Sequence, residues 1–161
     1  MRLWRIEKSV FAKDVRSGNG ARLYGGRWNS PGRPAIYCAG SLSLAMLEVL
    51  AHVSTEEDAG EKRVFFTIEV DDKWVDEVAT VDLPRGWRSA LNAGPCRRLG
   101  DAWLAKGNLV ALRVPSALVA GEFNCLLNPA HPQFRKAAIW SAGRPLRMDS
   151  RLLQDLVKNG P

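Results

Sequence analysis

Four residues of this 161-residue chain combine a reactive type with an unusual context. Glu48 lies in the run from Leu42 to Ala51, whose only polar members are Glu48 itself and Ser43. A charged carboxylate among apolar neighbours is costly unless it is paired. So placed, it can act as acid or base, or stabilise a developing positive charge. On a helical wheel it falls about 130° from the centre of the main apolar stripe, which also permits a solvent-facing position. Arg27 stands in Gly25-Gly26-Arg27-Trp28-Asn29. Glycines let backbone approach a ligand closely, and a guanidinium grips phosphate in two places. The motif is not a GxGxxG or GK[ST] nucleotide fingerprint, and an ordinary surface arginine on a turn fits it as well. Tyr37 reads either as a core aromatic with a satisfied hydroxyl or as a group that stacks on a ligand. Ser116, in Val114-Pro115-Ser116, has the context of a turn or cap serine.

Other chemistries find less support. No GxSxG elbow is present, and the histidines are His52 and His131 alone, so a Ser-His-Asp hydrolase is not indicated. His52 follows Glu48 by one helical turn, but no third ligand suggests itself, and no metal site is expected. His131, in Asn128-Pro129-Ala130-His131-Pro132, reads as a residue that fixes a turn.

These residues need elements to hold them. Leu3 to Ile6 alternates like a short strand. Residues 17–34 hold five glycines and two prolines and read as a loop or a set of tight turns. Ala35 to Ala39 reads as a strand, and Ser41 as the N-cap of a helix over Leu42 to Val53. That helix is apolar nearly all round, which predicts burial. Thr55 to Lys62 is a polar connection. Further strands are expected at Arg63 to Val70, Val78 to Leu83, Asn108 to Val114, Phe123 to Leu127 and Ala137 to Ser141. Helices are expected at Pro95 to Lys106 and Leu152 to Val157. The order does not alternate as a doubly wound sheet would, so the expected class is α+β, a compact mixed sheet with flanking helices.

The length suits one domain over residues 1–161. No run approaches the roughly 18 apolar residues of a membrane span, and Met1 to Ala12 lacks the apolar core of a signal peptide. Cys38, Cys96 and Cys125 are odd in number and form no CxxC, which argues against a disulfide framework or a zinc site. A cytoplasmic protein with reduced thiols is expected. The net charge of +6 is spread over scattered arginines rather than a dense run, so it gives little support for nucleic-acid binding.

The segments GGRWNSPGRPAIYCAGSLSLAMLEVLAH and VPSALVAGEFNCLLNPAHPQF together resemble the RES-domain family. Its members are toxins of bacterial toxin–antitoxin pairs whose partner is an Xre-type helix-turn-helix antitoxin. Arg27, Glu48 and Ser116 match the arginine, glutamate and serine for which the family is named. Tyr37 matches its tyrosine, and Asn124 and Asn128 its N-x-L-x-N-P stretch. The likeness runs from the LWRI opening to the DSRLL ending.

The resemblance implies an ADP-ribosyltransferase-like fold and cleavage of NAD, as substrate, at the nicotinamide–ribose bond. Nicotinamide departs neutral, and positive charge develops on the ribose as in glycoside cleavage. Glu48 would stabilise that charge or hold a ribose hydroxyl, and Arg27 would clamp the pyrophosphate. Tyr37 would pack on the nicotinamide or orient the ribose, and Ser116 would touch the nicotinamide riboside end or position Glu48. Trp28 and Asn124 join Arg27 and Tyr37 as residues expected to contact NAD. The implied partners are an Xre-type antitoxin and, for assembly, a second copy in a homodimer, with no direct nucleic acid and no membrane. The alternatives are transfer of ADP-ribose to a protein, a nucleic-acid-binding module without catalysis, and an inactive scaffold that only pairs with an antitoxin.

Overall fold

The computed structural model describes residues 1–53 and 55–152. Eight strands form one sheet: β1 (Arg2–Lys8), β2 (Ile36–Ala39), β3 (Arg63–Val70), β4 (Val75–Glu77), β5 (Ala111–Pro115), β6 (Phe123–Leu127), β7 (Ala138–Trp140) and β8 (Arg144–Leu146). Their order is β4-β5-β6-β2-β1-β3-β7, with β8 also pairing β3. The β4–β5 pair is parallel and the remaining pairs are antiparallel. The helices are α1 (Asn19–Tyr24), α2 (Leu42–Leu50), α3 (Glu56–Gly60), α4 (Gly94–Lys106) and α5 (Phe134–Ala137). This is the α+β class that the sequence implies.

The pairing explains where a site can form. In β3, Phe66, Ile68 and Val70 are buried at alternate positions, the two-residue period of a strand with one face in a core. β1 pairs β3 along its whole length, from Arg2 opposite Glu69 to Lys8 opposite Arg63. β2 pairs β6 over all four of its residues. Between β1 and β2, however, the one registered pair is Trp4 opposite Ala39. The sheet is therefore nearly split into two halves that diverge beyond that pair.

Three apolar clusters fix the halves. One gathers Leu3, Ile36, Ile68, Val110 and Leu127 with Phe134 of α5. A second packs Trp103 and Cys96 of α4 against Trp28, Trp87, Leu112 and Leu126. A third sets Leu44 and Ala45 of α2 against Ile6 and Ala39. Each fully buried leucine contributes roughly 1.5–3 kcal/mol of apolar transfer free energy.

Several sequence expectations need correction. The glycine-rich stretch contains the short helix α1, which closes at Gly25 with a positive φ of 70° that favours glycine. The polar connection contains α3, whose first turn is capped by the Thr55 hydroxyl accepting from the Asp58 N–H. The strand expected over Val78 to Leu83 is a 3₁₀ turn at Thr80–Asp82, and Val81 is fully outside the core. The strand lies earlier, at Val75–Glu77, where the parallel ladder to β5 is available. A further edge strand, β8, follows β7, and its Pro145 sits where an edge tolerates a missing donor. Only Leu44 and Ala45 of α2 are buried, and Leu47 is exposed. The helix expected over Leu152 to Val157 lies, beyond its first residue, outside the described residues; Leu152 itself ends a 3₁₀ turn. Among the described residues no helix is long and apolar enough to cross a membrane.

Candidate active site

A cleft of about 640 Å³ opens where β1 and β2 diverge. Its walls are β1, β2, the Gly25–Trp28 loop, one face of α2, the start of α4 and the turn from Pro115 to Leu118. Helical spacing decides what α2 contributes. Ala45, Glu48, Val49 and His52 fall three and four residues apart and line the cleft together. Ser41 starts this helix as expected, its Oγ accepting from the Leu44 N–H at 3.1 Å. The same hydroxyl donates to Glu122 Oε2 at 2.9 Å, which ties the helix start to the loop before β6.

Glu48 is half-buried and paired with an amide rather than a cation. Asn124 of β6 donates from Nδ2 to Glu48 Oε1 at 2.6 Å. That bond orients the amide, and it leaves the buried Asn124 Oδ1 without a partner among the described residues. His52 Nδ1 lies 2.7 Å from the Glu48 carbonyl oxygen. A carbonyl only accepts, so Nδ1 is the donor in this contact. Glu48 thus presents a carboxylate whose orientation is fixed from one side and whose second oxygen has no hydrogen-bond partner among the described residues.

Asn29 organises the glycine loop and is fully buried. Its Nδ2 donates to the carbonyls of Ala21 at 2.8 Å and Arg33 at 3.0 Å, pulling both ends of the loop inward. Its Oδ1 accepts from the Tyr37 hydroxyl at 2.7 Å. The same hydroxyl accepts from the Trp28 N–H at 3.0 Å. Burial pushes the Tyr37 phenol well above its ordinary range, so it stays protonated and keeps donating. Gly26 is required beside it, because a Cβ there would collide with the Tyr37 hydroxyl. Tyr37 lines the cleft, but its polar end is spent on holding the loop.

Arg27 reaches from this loop to the chain before α4. Its Nη1 donates to the carbonyls of Trp87 at 2.6 Å and Ser89 at 3.1 Å. Trp28 is 2 % exposed and stacks at a tilt on Trp87, with ring centroids 6.3 Å apart, so its indole belongs to the second core cluster. Ser116 is fully buried and does not line the cleft. Its Oγ accepts from the N–H groups of Leu118 at 3.2 Å and Val119 at 3.1 Å. It therefore shapes the turn that presents Pro115, Ala117 and Leu118 to the cleft. The cleft brings together Glu48, Arg27, Tyr37, Asn124 and Trp28, the last with its ring packed in the second core cluster; Ser116 does not line it.

Sequence reasoning overlooked three cleft residues. Arg5 donates from Nη1 to the Tyr37 carbonyl at 2.9 Å and from Nη2 to Glu7 Oε2 at 2.5 Å. Its side chain bridges β1 and β2 where their backbones no longer pair. A charged residue inside the LWRI strand was the available signal. His52 was considered only as a metal ligand. Arg97, on the first turn of α4, donates from Nε to the Gly26 carbonyl at 2.8 Å, and nothing local in the sequence marks it. At the far end of the cleft, Asp58 pairs with Lys8 at 2.8 Å and with the buried Arg63 at 2.9 Å. The hydrogen bond from Lys8 holds the Asp58 carboxyl below the usual carboxylate range. Cys38 also lines the cleft, and burial pushes its thiol up to about 12, which makes it unreactive at neutral pH. No group of three or more His, Cys, Asp or Glu able to hold a metal ion occurs among the described residues.

The fold and site define an α+β protein whose cleft offers one oriented carboxylate and several arginines. The chain belongs to the RES-domain family, whose profile matches residues 2–149. It is 36% identical over 154 residues to "Toxin Res" of Photorhabdus laumondii, covering 96% of this chain and 98% of that one. It is 38% identical over 134 residues to the "Prs ADP-ribosylating toxin" of a Sphingobium species, covering 80% and 83%. The "NAD(+) phosphorylase MbcT" of Mycobacterium tuberculosis is 38% identical over 94 residues, 56% of this chain and 50% of that protein. The crystal structure of the M. tuberculosis MbcT–MbcA toxin–antitoxin complex matches with a TM-score of 0.75 and 26% identity, over 98% of this chain and 89% of that one.

Proposed function

We propose that this chain is a single RES domain over residues 1–161 that acts as the toxin of a type II toxin–antitoxin pair. It cleaves NAD at the nicotinamide–ribose bond, depleting cellular NAD and arresting growth. The observation that carries this reading is Glu48, held at 2.6 Å by Asn124 on the wall of a cleft of about 640 Å³ that also holds uncompensated arginines. The relatives named for action on NAD and for ADP-ribosylation support the same chemistry.

The bond that breaks joins the pyridinium nitrogen to the ribose anomeric carbon. Its electron pair leaves with nicotinamide, which becomes neutral and needs no general acid. The ribose takes on oxocarbenium character, and the Glu48 carboxylate stabilises it through space or through a ribose hydroxyl. One carboxylate suffices here, whereas ordinary glycoside hydrolysis wants two. Arg27 faces the diphosphate. Tyr37 supplies its ring to the cleft and keeps the loop in place. An acceptor oxygen then bonds to the anomeric carbon and loses its proton.

The partner is an antitoxin, in keeping with the complex of the structural neighbour. We take it to be of the Xre helix-turn-helix type, with the pair acting in the cytoplasm and the toxin able to form a homodimer. The test uses purified, antitoxin-free chain and NAD, with nicotinamide release followed by chromatography. Wild type is expected to turn over, and Glu48→Gln to lose activity at least a thousandfold while melting as wild type does. Normal NAD loss in Glu48→Gln would overturn the mechanism. The second product identifies the acceptor: ADP-ribose for water, its phosphate ester for inorganic phosphate, a modified polypeptide for transfer to protein. The Sphingobium relative's name favours keeping that last arm in the assay.

A further inference from the structure

The charges on the cleft wall do not balance, and the imbalance has a definite place. Arg5, Lys8, Arg27, Arg63 and Arg97 line the cleft, against Glu7, Glu48 and Asp58. Arg5 is paired with Glu7, and Lys8 and Arg63 share Asp58. Arg27 and Arg97 have no carboxylate partner among the described residues; their recorded partners are backbone carbonyls. Both are tied to the glycine loop, Arg27 as the residue after Gly26 and Arg97 through its bond to the Gly26 carbonyl. Two guanidinium groups without an acid partner on the wall of one cleft favour an anionic ligand there. Two such charges match a dianion.

The two arginines are held differently. Arg27 uses Nη1 on Trp87 and Ser89, which pins its fork against the chain before α4. Arg97 is anchored through Nε alone, on the Gly26 carbonyl, and neither of its terminal nitrogens has a partner among the described residues. An arginine fixed by Nε and open at both Nη atoms is arranged to grip an oxyanion with two parallel hydrogen bonds. The missing side chain at Gly26 makes room for the Tyr37 hydroxyl beneath the loop, which fixes the carbonyl that Arg97 holds.

We propose that Arg97 is a substrate-binding residue, the second arm of a clamp in which Arg27 and Arg97 hold the two phosphates of the dinucleotide. This rests on the reading of NAD as substrate. Arg27 then takes part chiefly by anchoring the loop and supplying charge, and Arg97 supplies the open fork. The neighbouring Arg98 lies on the same helix turn but does not line the cleft, so it removes the same charge without touching the clamp.

The test compares wild type, Arg97→Ala and Arg98→Ala on NAD and on nicotinamide riboside, which has the scissile bond and no phosphate. Arg97→Ala is expected to raise KM for NAD about tenfold to a hundredfold, and Arg98→Ala to stay within about twofold. On nicotinamide riboside all three should agree within about threefold. Equal losses on both substrates would make Arg97 a loop support only, and an unchanged KM for NAD would remove it from the site; either result overturns the proposal. Titration calorimetry with inorganic pyrophosphate separates the two readings. If wild type releases no nicotinamide from NAD but binds pyrophosphate, and Arg97→Ala does not, the reaction is wrong and the clamp stands. Absence of pyrophosphate binding in wild type, or equal binding in both proteins, overturns the clamp.

Discussion

Removing the Asn124 side chain separates catalysis from stability. Asn124→Ala deletes the 2.6 Å hydrogen bond to Glu48 Oε1, and it also deletes a buried Oδ1 that has no partner. A hydrogen bond to a charged group is worth about 1.5–3 kcal/mol, and a buried unsatisfied acceptor costs about 1–3 kcal/mol. The two terms act in opposite directions on folding, so net stability should change by no more than about 2 kcal/mol. For a domain of this size that is at most about 4–8 °C in Tm. No such cancellation applies to the reaction, because the orphan oxygen contributes nothing to orienting Glu48. The lost 1.5–3 kcal/mol of positioning then appears as about a tenfold to hundredfold fall in kcat. KM should move less than kcat, since the bond removed is the one that orients Glu48. Nicotinamide release gives kcat and KM, and a thermal melt gives Tm. A kcat within twofold of wild type would refute the positioning argument. So would a Tm lowered by more than about 10 °C, because the offset would then not exist. Asn124→Asp sharpens the test. Two carboxylates that close cannot both ionise comfortably, so activity should fall further and recover in part as the pH drops toward about 5 and the pair takes up a proton.

Three other outcomes follow from the geometry. Ser116→Ala leaves the Leu118 and Val119 N–H groups without their acceptor, and urea unfolding should show a loss of about 1–3 kcal/mol with NAD turnover of the folded protein within about tenfold; a loss beyond a hundredfold at full stability would instead place Ser116 on the substrate. Gly26→Ala forces a Cβ into the Tyr37 hydroxyl and to 3.0 Å from Asn29 Oδ1, and calorimetry with ADP-ribose should show binding weakened at least tenfold, whereas Gly20→Ala, where nothing lies within 4 Å, should bind normally. The pair of Lys8 and Asp58 sets a pH window. The Asp58 carboxyl is held low by the hydrogen bond from Lys8, so its contribution is present above the ordinary carboxylate value near 3.8 and fades as pH falls through its lower folded value. Lys8 is held above its ordinary 10.5 by the same bond, so its contribution is full below that pH and fades as pH rises past its folded value. Melting curves of Asp58→Asn should therefore lie below those of wild type above pH about 5 and converge with them as pH falls through the folded value of Asp58, while at high pH the gap narrows as Lys8 loses its charge but stays open because Arg63 keeps its pair; a difference independent of pH would exclude this linkage.

Much of the scaffold was legible because its elements carry strong periodicity. The RVFFTIEV run, the apolar stripe of α2 behind Ser41 and the FNCLL strand all appear where the pattern puts them. The elements that were missed are short, and short elements are set by their caps or partners. Thr55 with Asp58 three residues on is a capping signal, and it was outweighed by the polarity of the surrounding residues. The apolar residues of Val78 to Leu83 suggested a strand, but the ladder to β5 had already been taken by Val75–Glu77. α1 has no apolar face to read and exists because Asn29 and the backbone of Gly18 and Gly25 close it.

The site was legible in part, for a related reason. Glu48 could be noticed because its own helix made it anomalous. Asn124 and Arg97 could not be placed from their own surroundings, because what gives them meaning lies far along the chain: Glu48 for one, Gly26 for the other. The same distance changes the meaning of residues that were noticed. Tyr37 and Trp28 were read as ligand-facing aromatics, yet the hydroxyl of one and the indole of the other are committed to Asn29 and Trp87. A glycine-rich loop cannot hold a charged ligand by its own rigidity, since its backbone is the most entropically free in the chain. Here it is fixed from beneath by a buried amide, a protonated phenol and an indole, none of which needs to touch substrate. That support holds on the wall of one cleft two arginines with no acid partner among the described residues. Glu48 stands on the α2 wall of the same cleft, with an amide as its partner. The positive loop and the one carboxylate not paired with a cation are thus two parts of one arrangement, suited to a ligand that is anionic in its middle and cationic at its reacting end.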